Sequence, residues 1–91
     1  ESIKQFERYP TEPLGIFYTA EALMMLKKYS KAIEKYNVVI AQESIFKDVA
    51  LFHKAIALVG MEENEKAKSV LRSISSRSFY YEKARELLNL L

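Results

Sequence analysis

His53 is the only histidine of this 91-residue chain and Asp48 its only aspartate; they stand five positions apart, with Ser44 a little upstream. Serine, imidazole and carboxylate are the parts of an acyl-transfer triad. The spacing speaks against one, because five positions overshoot a helical turn and no glycine-rich nucleophile turn surrounds Ser44. A zinc site takes several nitrogen or sulfur ligands, and one histidine without cysteine cannot supply them. Gly15 and Gly60 are the only glycines, so neither a Walker loop nor a dinucleotide-binding turn can be built. The chain is therefore expected to be no enzyme, with no catalytic residue, no cofactor and no metal.

Charge is equally sparing. Lys and Arg number 14 against 12 Asp and Glu, a net charge of +2, which gives no strong attraction to nucleic acid or to an anionic membrane. Lys27, Lys28, Lys31 and Lys35 gather beside Tyr29 and Tyr36, and with Glu34 among them they read as a solvated face. Without cysteine there is no disulfide framework to indicate a compartment; the cytoplasm and a bacterial periplasm or envelope are both compatible. The chain opens on Glu1 and looks like a piece of a longer protein. Its apolar runs, such as 22–26, are far shorter than the ~20 residues of a membrane helix, so no membrane contact is expected of this segment.

The elements that hold these residues follow from periodicity. Ile3, Phe6 and Tyr9 form a short stripe over residues 2–9, the end of a preceding helix or an N-terminal cap. Pro10 stops it. Thr11 then caps and Pro13 opens a helix over 13–28 that is apolar on more than one side. Ser30 is placed as the cap of a second helix over 31–42, whose Ala32, Ile33, Tyr36, Val39 and Ile40 form one stripe. Ser44 caps a third over 46–59, with Ala50, Leu51, Ala55 and Leu58 inward, and Gly60 ends it in a left-handed conformation. Glu62, Glu63 and Glu65 suit the start of a fourth helix, which runs to Ile74. After the polar break Ser75–Ser78, a fifth carries Tyr80, Ala84, Leu87, Leu88 and Leu91.

Two of these pairs repeat. Ala20 and Ala55, Leu23 and Leu58, Ala32 and Ala67, Tyr36 and Leu71, and Val39 and Ile74 each stand 35 apart (55 − 20, 58 − 23, 67 − 32, 71 − 36, 74 − 39). A period of that size belongs to stacked helical hairpins. The pattern resembles the tetratricopeptide repeat, with Ile16 and Leu51 at the aromatic position, Ala20 and Ala55 at the glycine, and Leu23 and Leu58 at the tyrosine. In the second helices, Ala32 with Tyr36 and Ala67 with Leu71 keep the family's spacing. Thr19 and Lys54 depart from the family leucine, and Ser44 and Phe79 from its terminal proline. A narrower likeness is to short bacterial tetratricopeptide-like proteins of the kind that accompany the Sec translocon on a membrane anchor, where a closing helix similar to 81–88 follows degenerate repeats.

The resemblance implies an all-α fold of right-handed antiparallel helical hairpins, a solenoid of about two repeats plus a closing helix. Its parts are a flank or partial capping helix (1–12), repeats over 13–45 and 46–78, and a closing helix or half repeat (79–91). Ala20, Ala32, Ala55 and Ala67 are the small contacts that let paired helices approach. The resemblance also implies that first helices line a concave face, which Leu14, Phe17, Met24, Met25, Val49, Phe52 and Ile56 partly face. That set is either repeat core with surfaces that missing neighbours cover, or a groove for an apolar or amphipathic peptide. Phe17, Glu21 and Met25 stand where domains that capture acidic tails place lysine and asparagine, so a carboxylate clamp is not expected.

The function expected is a non-catalytic protein–protein interaction module that displays this partly apolar face to a protein or peptide partner in a larger bacterial assembly. The alternative is a structural or oligomerisation segment of a longer, envelope-associated protein, with no groove ligand. Two and a half hairpins are near the lower limit of stability, so the segment is expected either to close itself with 2–9 and 79–91 or to form a homo-oligomer through an end face.

Overall fold

The computed structural model describes residues 12–91, and over these the chain is helical, with no strand among the described residues. Five helices follow one another: α1 (Pro13–Met25), α2 (Tyr29–Ala41), α3 (Lys47–Gly60), α4 (Asn64–Arg72) and α5 (Tyr81–Leu90). The expected stripe of Ile3, Phe6 and Tyr9, and the cap at Thr11, lie outside the described residues. Each helix packs chiefly on its neighbours in the chain, the arrangement of a helical repeat.

Small side chains make that packing close. Ala20, Ala32, Ala55 and Ala67 are wholly buried, as their spacing predicts, and Ala50, Ala57 and Ala84 join them. Among the described residues, seven of the thirteen buried apolar ones are therefore alanine, which brings helix backbones together and leaves few large side chains to fill the gaps. The fillers are Tyr36, Leu71 and Val39, the largest fully buried side chains. Two clusters result. Ile16, Ala20, Ala32, Tyr36, Val39 and Ala50 join α1, α2 and the start of α3; Ala55, Leu58, Ala67, Leu71, Ile74 and Ala84 join the rest of α3 to α4 and α5. Ile33 on α2 packs against the second cluster and links the two. Buried Thr19 satisfies its hydroxyl by donating to the Gly15 carbonyl one turn back, at 3.0 Å.

The turn between α1 and α2 recurs between α3 and α4 bond for bond. Lys27 donates to the Met24 carbonyl and Lys28 to Leu23; Glu62 donates to Val59 and Glu63 to Leu58. These are paired bonds of a Schellman termination, with Lys27 (φ 59°) and Glu62 (φ 61°) in the left-handed position that glycine usually fills. Helix entries recur as well: Ile16, Ala50 and Ala84 donate to the carbonyls of Glu12, Phe46 and Tyr80, N-caps 34 positions apart (46 − 12, 80 − 46).

Several local expectations are corrected. The first helix ends at Met25 rather than at 28, because the Schellman turn takes Leu26–Lys28. That turn delivers the chain straight into α2 at Tyr29, so Ser30 is helical and the cap is Lys28, with no side-chain bond. Ser44 acts one residue early: its Oγ accepts the Phe46 N–H and its carbonyl accepts that of Lys47. Gly60 is the last residue of α3 and takes no positive φ. Its reason is space, since a Cβ there would stand 2.7 Å from Cζ of the Tyr29 ring. The fourth helix stops at Arg72, and Ile74 is buried just beyond it.

Candidate functional site

Three polar side chains from three helices meet where the first cluster borders the surface. Glu21 comes from α1, Tyr36 from α2 and His53 from α3. The Tyr36 hydroxyl donates to Glu21 Oε2 at 2.7 Å, and His53 Nδ1 pairs with the same oxygen. Packing explains the convergence. Tyr36 is buried four residues after Ala32, and a buried phenol needs an acceptor for its proton. Glu21 supplies it from the boundary of α1, and the close approach of α3 brings His53 to the other side.

The electrostatics follow from this geometry. Burial by itself pushes the Glu21 carboxyl up, but the hydrogen bonds from His53 and Tyr36, with the charge of His53, outweigh it and hold the group below its ordinary value. Burial first, then the adjoining Glu21 carboxylate, pushes the Tyr36 phenol well above its ordinary range. On α3, burial lowers the Lys54 ammonium. Among the described residues no buried side-chain nitrogen or oxygen lacks a hydrogen-bond partner. The His53 and Glu21 side chains are each about a third exposed, at 28% and 31%.

Aromatic rings surround the trio. Phe17 stacks on His53 at 5.9 Å between centroids and on Phe46 at 5.8 Å, and Tyr36 meets His53 edge-on at 6.1 Å. Phe52 lies 6.1 Å from His53 and 5.7 Å from Tyr80. Phe17, His53, Phe52 and Tyr80 thus form an unbroken row from α1 across α3 to the start of α5. At its far end, Phe52, Ile56, Lys83, Glu86, Leu87 and Leu90 line a shallow cleft of about 310 Å³.

Of the residues singled out from sequence, Phe17, Glu21 and Phe52 belong to this row or its polar centre, and Ile56, 38% exposed, belongs to the cleft. Met24 is half-buried against the first cluster, and Val49 is half-buried on α3. Leu14 and Met25 stand largely in solvent near the two ends of α1, Met25 at 85% exposure. Lys27, Lys28 and Lys31 ring a second cleft of about 430 Å³ with Tyr29, Ser30 and Met61, while Lys35 is exposed on α2.

Sequence reasoning missed the association of His53 with Glu21 and the role of the Tyr36 hydroxyl. It compared His53 with Asp48 and Ser44, its neighbours in the chain. Ser44 Oγ instead accepts the Phe46 N–H, and the imidazole turns to a different helix. The only sequence signal for the pair is its separation of 32 positions (53 − 21), close to the 35-residue spacing of the alanine pairs. Chemically, the trio ties an imidazole and a phenol to one carboxylate. Among the described residues no group of three or more His, Cys, Asp or Glu is placed to hold a metal. Comparison of the chain with protein-family models, with curated proteins and with solved structures finds no match.

Proposed function

We propose that the chain is a tetratricopeptide-like, non-catalytic interaction module whose α1, α3 and α5 together display a partly apolar face to a protein or peptide partner in a larger bacterial assembly. The observation that carries the reading is the aromatic row itself. It crosses three successive odd-numbered helices without a break and ends in the Phe52–Leu90 cleft, a surface shaped to receive apolar side chains. The recurrence of the Schellman turn at Lys27 and Glu62, and of helix entry at Glu12, Phe46 and Tyr80, supports the family reading, as does burial of the four repeat alanines.

Site-specific photo-crosslinking tests it. A photoreactive residue at Ile56 on the face is expected to give a discrete adduct with another protein in the native host, and one at Val38, equally accessible on α2, is expected to give none. Adducts of equal yield at both positions would contradict the reading. The alternative, a self-association segment, is favoured by the exposure of Ile45 (90%), Phe79 (83%) and Leu90 (82%). Light scattering separates the two: a stable monomer supports the module, and a dimer that buries Phe17, Met24 and Phe52 supports the alternative.

A further inference from the structure

Resting on that reading of the face, we propose that α5 is a hinged strap: it swings from the α1–α4 body as one unit, before the body unfolds, and the cleft between α3 and α5 exists only while it is closed.

Polar ties set α5 apart from α1, α2 and α3. The Glu21, Tyr36 and His53 side chains bind those three helices to one another through a single carboxylate oxygen. The bonds of α5 are local. Arg85 Nη1 donates to the Tyr81 hydroxyl at 2.9 Å, with its guanidinium 5.7 Å over the same ring, and the Tyr81 and Ala84 N–H groups donate to the carbonyls of Ser78 and Tyr80. Among the described residues no hydrogen bond or ion pair joins α5 to another helix. Its hold on the body is apolar alone.

That hold is small. Ala84 is the one buried residue of α5, whereas α1 and α3 bury four each and α2 three. An alanine removes little area from water, so closure falls to Leu87, Leu88 and Leu91, half-buried against the second cluster, while Leu90 is 82% exposed. Against α3 the packing is incomplete and leaves the cleft of about 310 Å³.

The link supplies the hinge. Residues 73–80 make a longer connection than 26–28, 42–46 or 61–63. Its start is pinned, because Ile74 is buried in the second cluster. Beyond Ile74 its bonds are its own: Arg77 N–H donates to Ser75 Oγ, Ser78 N–H to the Ser75 carbonyl and Tyr80 N–H to Ser78 Oγ. Rotation within 75–78 thus carries α5 away without breaking a bond to any helix of the body, the condition for local opening at low cost. Opening parts Phe52 from Tyr80 and removes the Lys83, Glu86, Leu87 and Leu90 wall of the cleft. A partner side chain seated there touches α3 and α5 together, so it binds the closed form and draws the equilibrium toward it.

Native-state hydrogen exchange on the full chain, read amide by amide at rising sub-denaturing urea, tests the strap. The amides of 84–90 are expected to exchange together, at least about tenfold faster than the slowest of α1–α3, with a urea dependence weaker than that of global unfolding. Exchange at the global rate overturns the proposal, and so does exchange graded from the helix end with no urea dependence, which is fraying. Tyr36→Phe removes a bond present in both closed and open forms. It is expected to speed the slowest α1–α3 amides about ten- to thirtyfold and to leave those of α5 unchanged; equal acceleration in both overturns the proposal. Ala84→Asp, which would bury a carboxylate on closing, is expected to leave α5 unprotected with α1–α3 folded, and a chain unfolded throughout counts against the strap. In that variant the Ile56 crosslink is expected to be lost, and an adduct at parental yield overturns the gating of the cleft. Absence of any adduct from the parent falls on the proposed function instead, and exchange alone then decides the strap.

Discussion

Replacing Tyr36 by Phe removes one oxygen from the most completely buried large side chain of the first cluster and alters nothing else in its shape. No cavity of consequence opens, so the cost reports the hydroxyl alone. That hydroxyl donates to Glu21 Oε2 at 2.7 Å, and the acceptor is a carboxylate held in its ionised form. Hydrogen bonds to charged groups contribute about 1.5–3 kcal/mol, against about 1 for neutral pairs. The Glu21 side chain retains 31% of its accessibility and keeps His53 as a second donor, so water and the imidazole compensate part of the loss. The lower part of that range, about 1.5–2 kcal/mol, is expected. For a domain of this size that lowers Tm by roughly 6–16 °C, taking 4–8 °C per kcal/mol. Urea titrations followed by circular dichroism at pH 7 measure it. A Tyr36→Phe variant within about 0.5 kcal/mol of the parent would refute the reasoning, because the oxygen would then be as well served by water as by Glu21.

The same carboxylate predicts a pH dependence. Its folded pKa lies below the ordinary 4.5, so the unfolded chain takes up the proton first as pH falls; the contribution is fully present above about 4.5 and is lost as pH drops through the folded value. Glu21→Gln should remove that part of the acid dependence, as parallel denaturation curves from pH 7 to 3 will show. Ala32→Phe or Ala67→Phe should cost ~1–3 kcal/mol by forcing the paired helices apart, while Lys35→Glu on the exposed side of α2 should stay within about 0.5 kcal/mol in the same assay. Lys27→Gly and Glu62→Gly should each stabilise by roughly 0.5–1 kcal/mol, since glycine occupies the left-handed position without the steric cost a Cβ carries there. A loss of stability at both positions would contradict the Schellman assignment.

How far the sequence reaches depends on what each feature rests on. Burial of Ala20, Ala32, Ala55 and Ala67 was legible because the requirement is steric and recurs at fixed spacing, and the same spacing marked Tyr36, Leu71, Val39 and Ile74 as core. Helix ends were less legible. Glycine is the usual mark of a left-handed termination, yet lysine and glutamate occupy those positions here, and Gly60 serves the close approach of Tyr29 from another helix. Only tertiary packing distinguishes those two uses of glycine. The polar trio was hidden for a related reason: Glu21 and His53 are 32 positions apart (53 − 21), on α1 and α3, and no local rule connects them. Surface ion pairs such as Lys68–Glu65 on α4, by contrast, follow from helical spacing and contribute little.

The central claim is that α1, α3 and α5 share one face, joined by the row Phe17, His53, Phe52 and Tyr80. Nuclear Overhauser spectra of the full chain, with aromatic rings labelled, address it most directly. Cross-peaks are expected between the rings of Phe17 and His53, of His53 and Phe52, and of Phe52 and Tyr80, whose centroids lie 5.9, 6.1 and 5.7 Å apart. Absence of the Phe17–His53 and Phe52–Tyr80 peaks from a folded sample would show that these helices do not present a common surface, and the proposed function would fall with it.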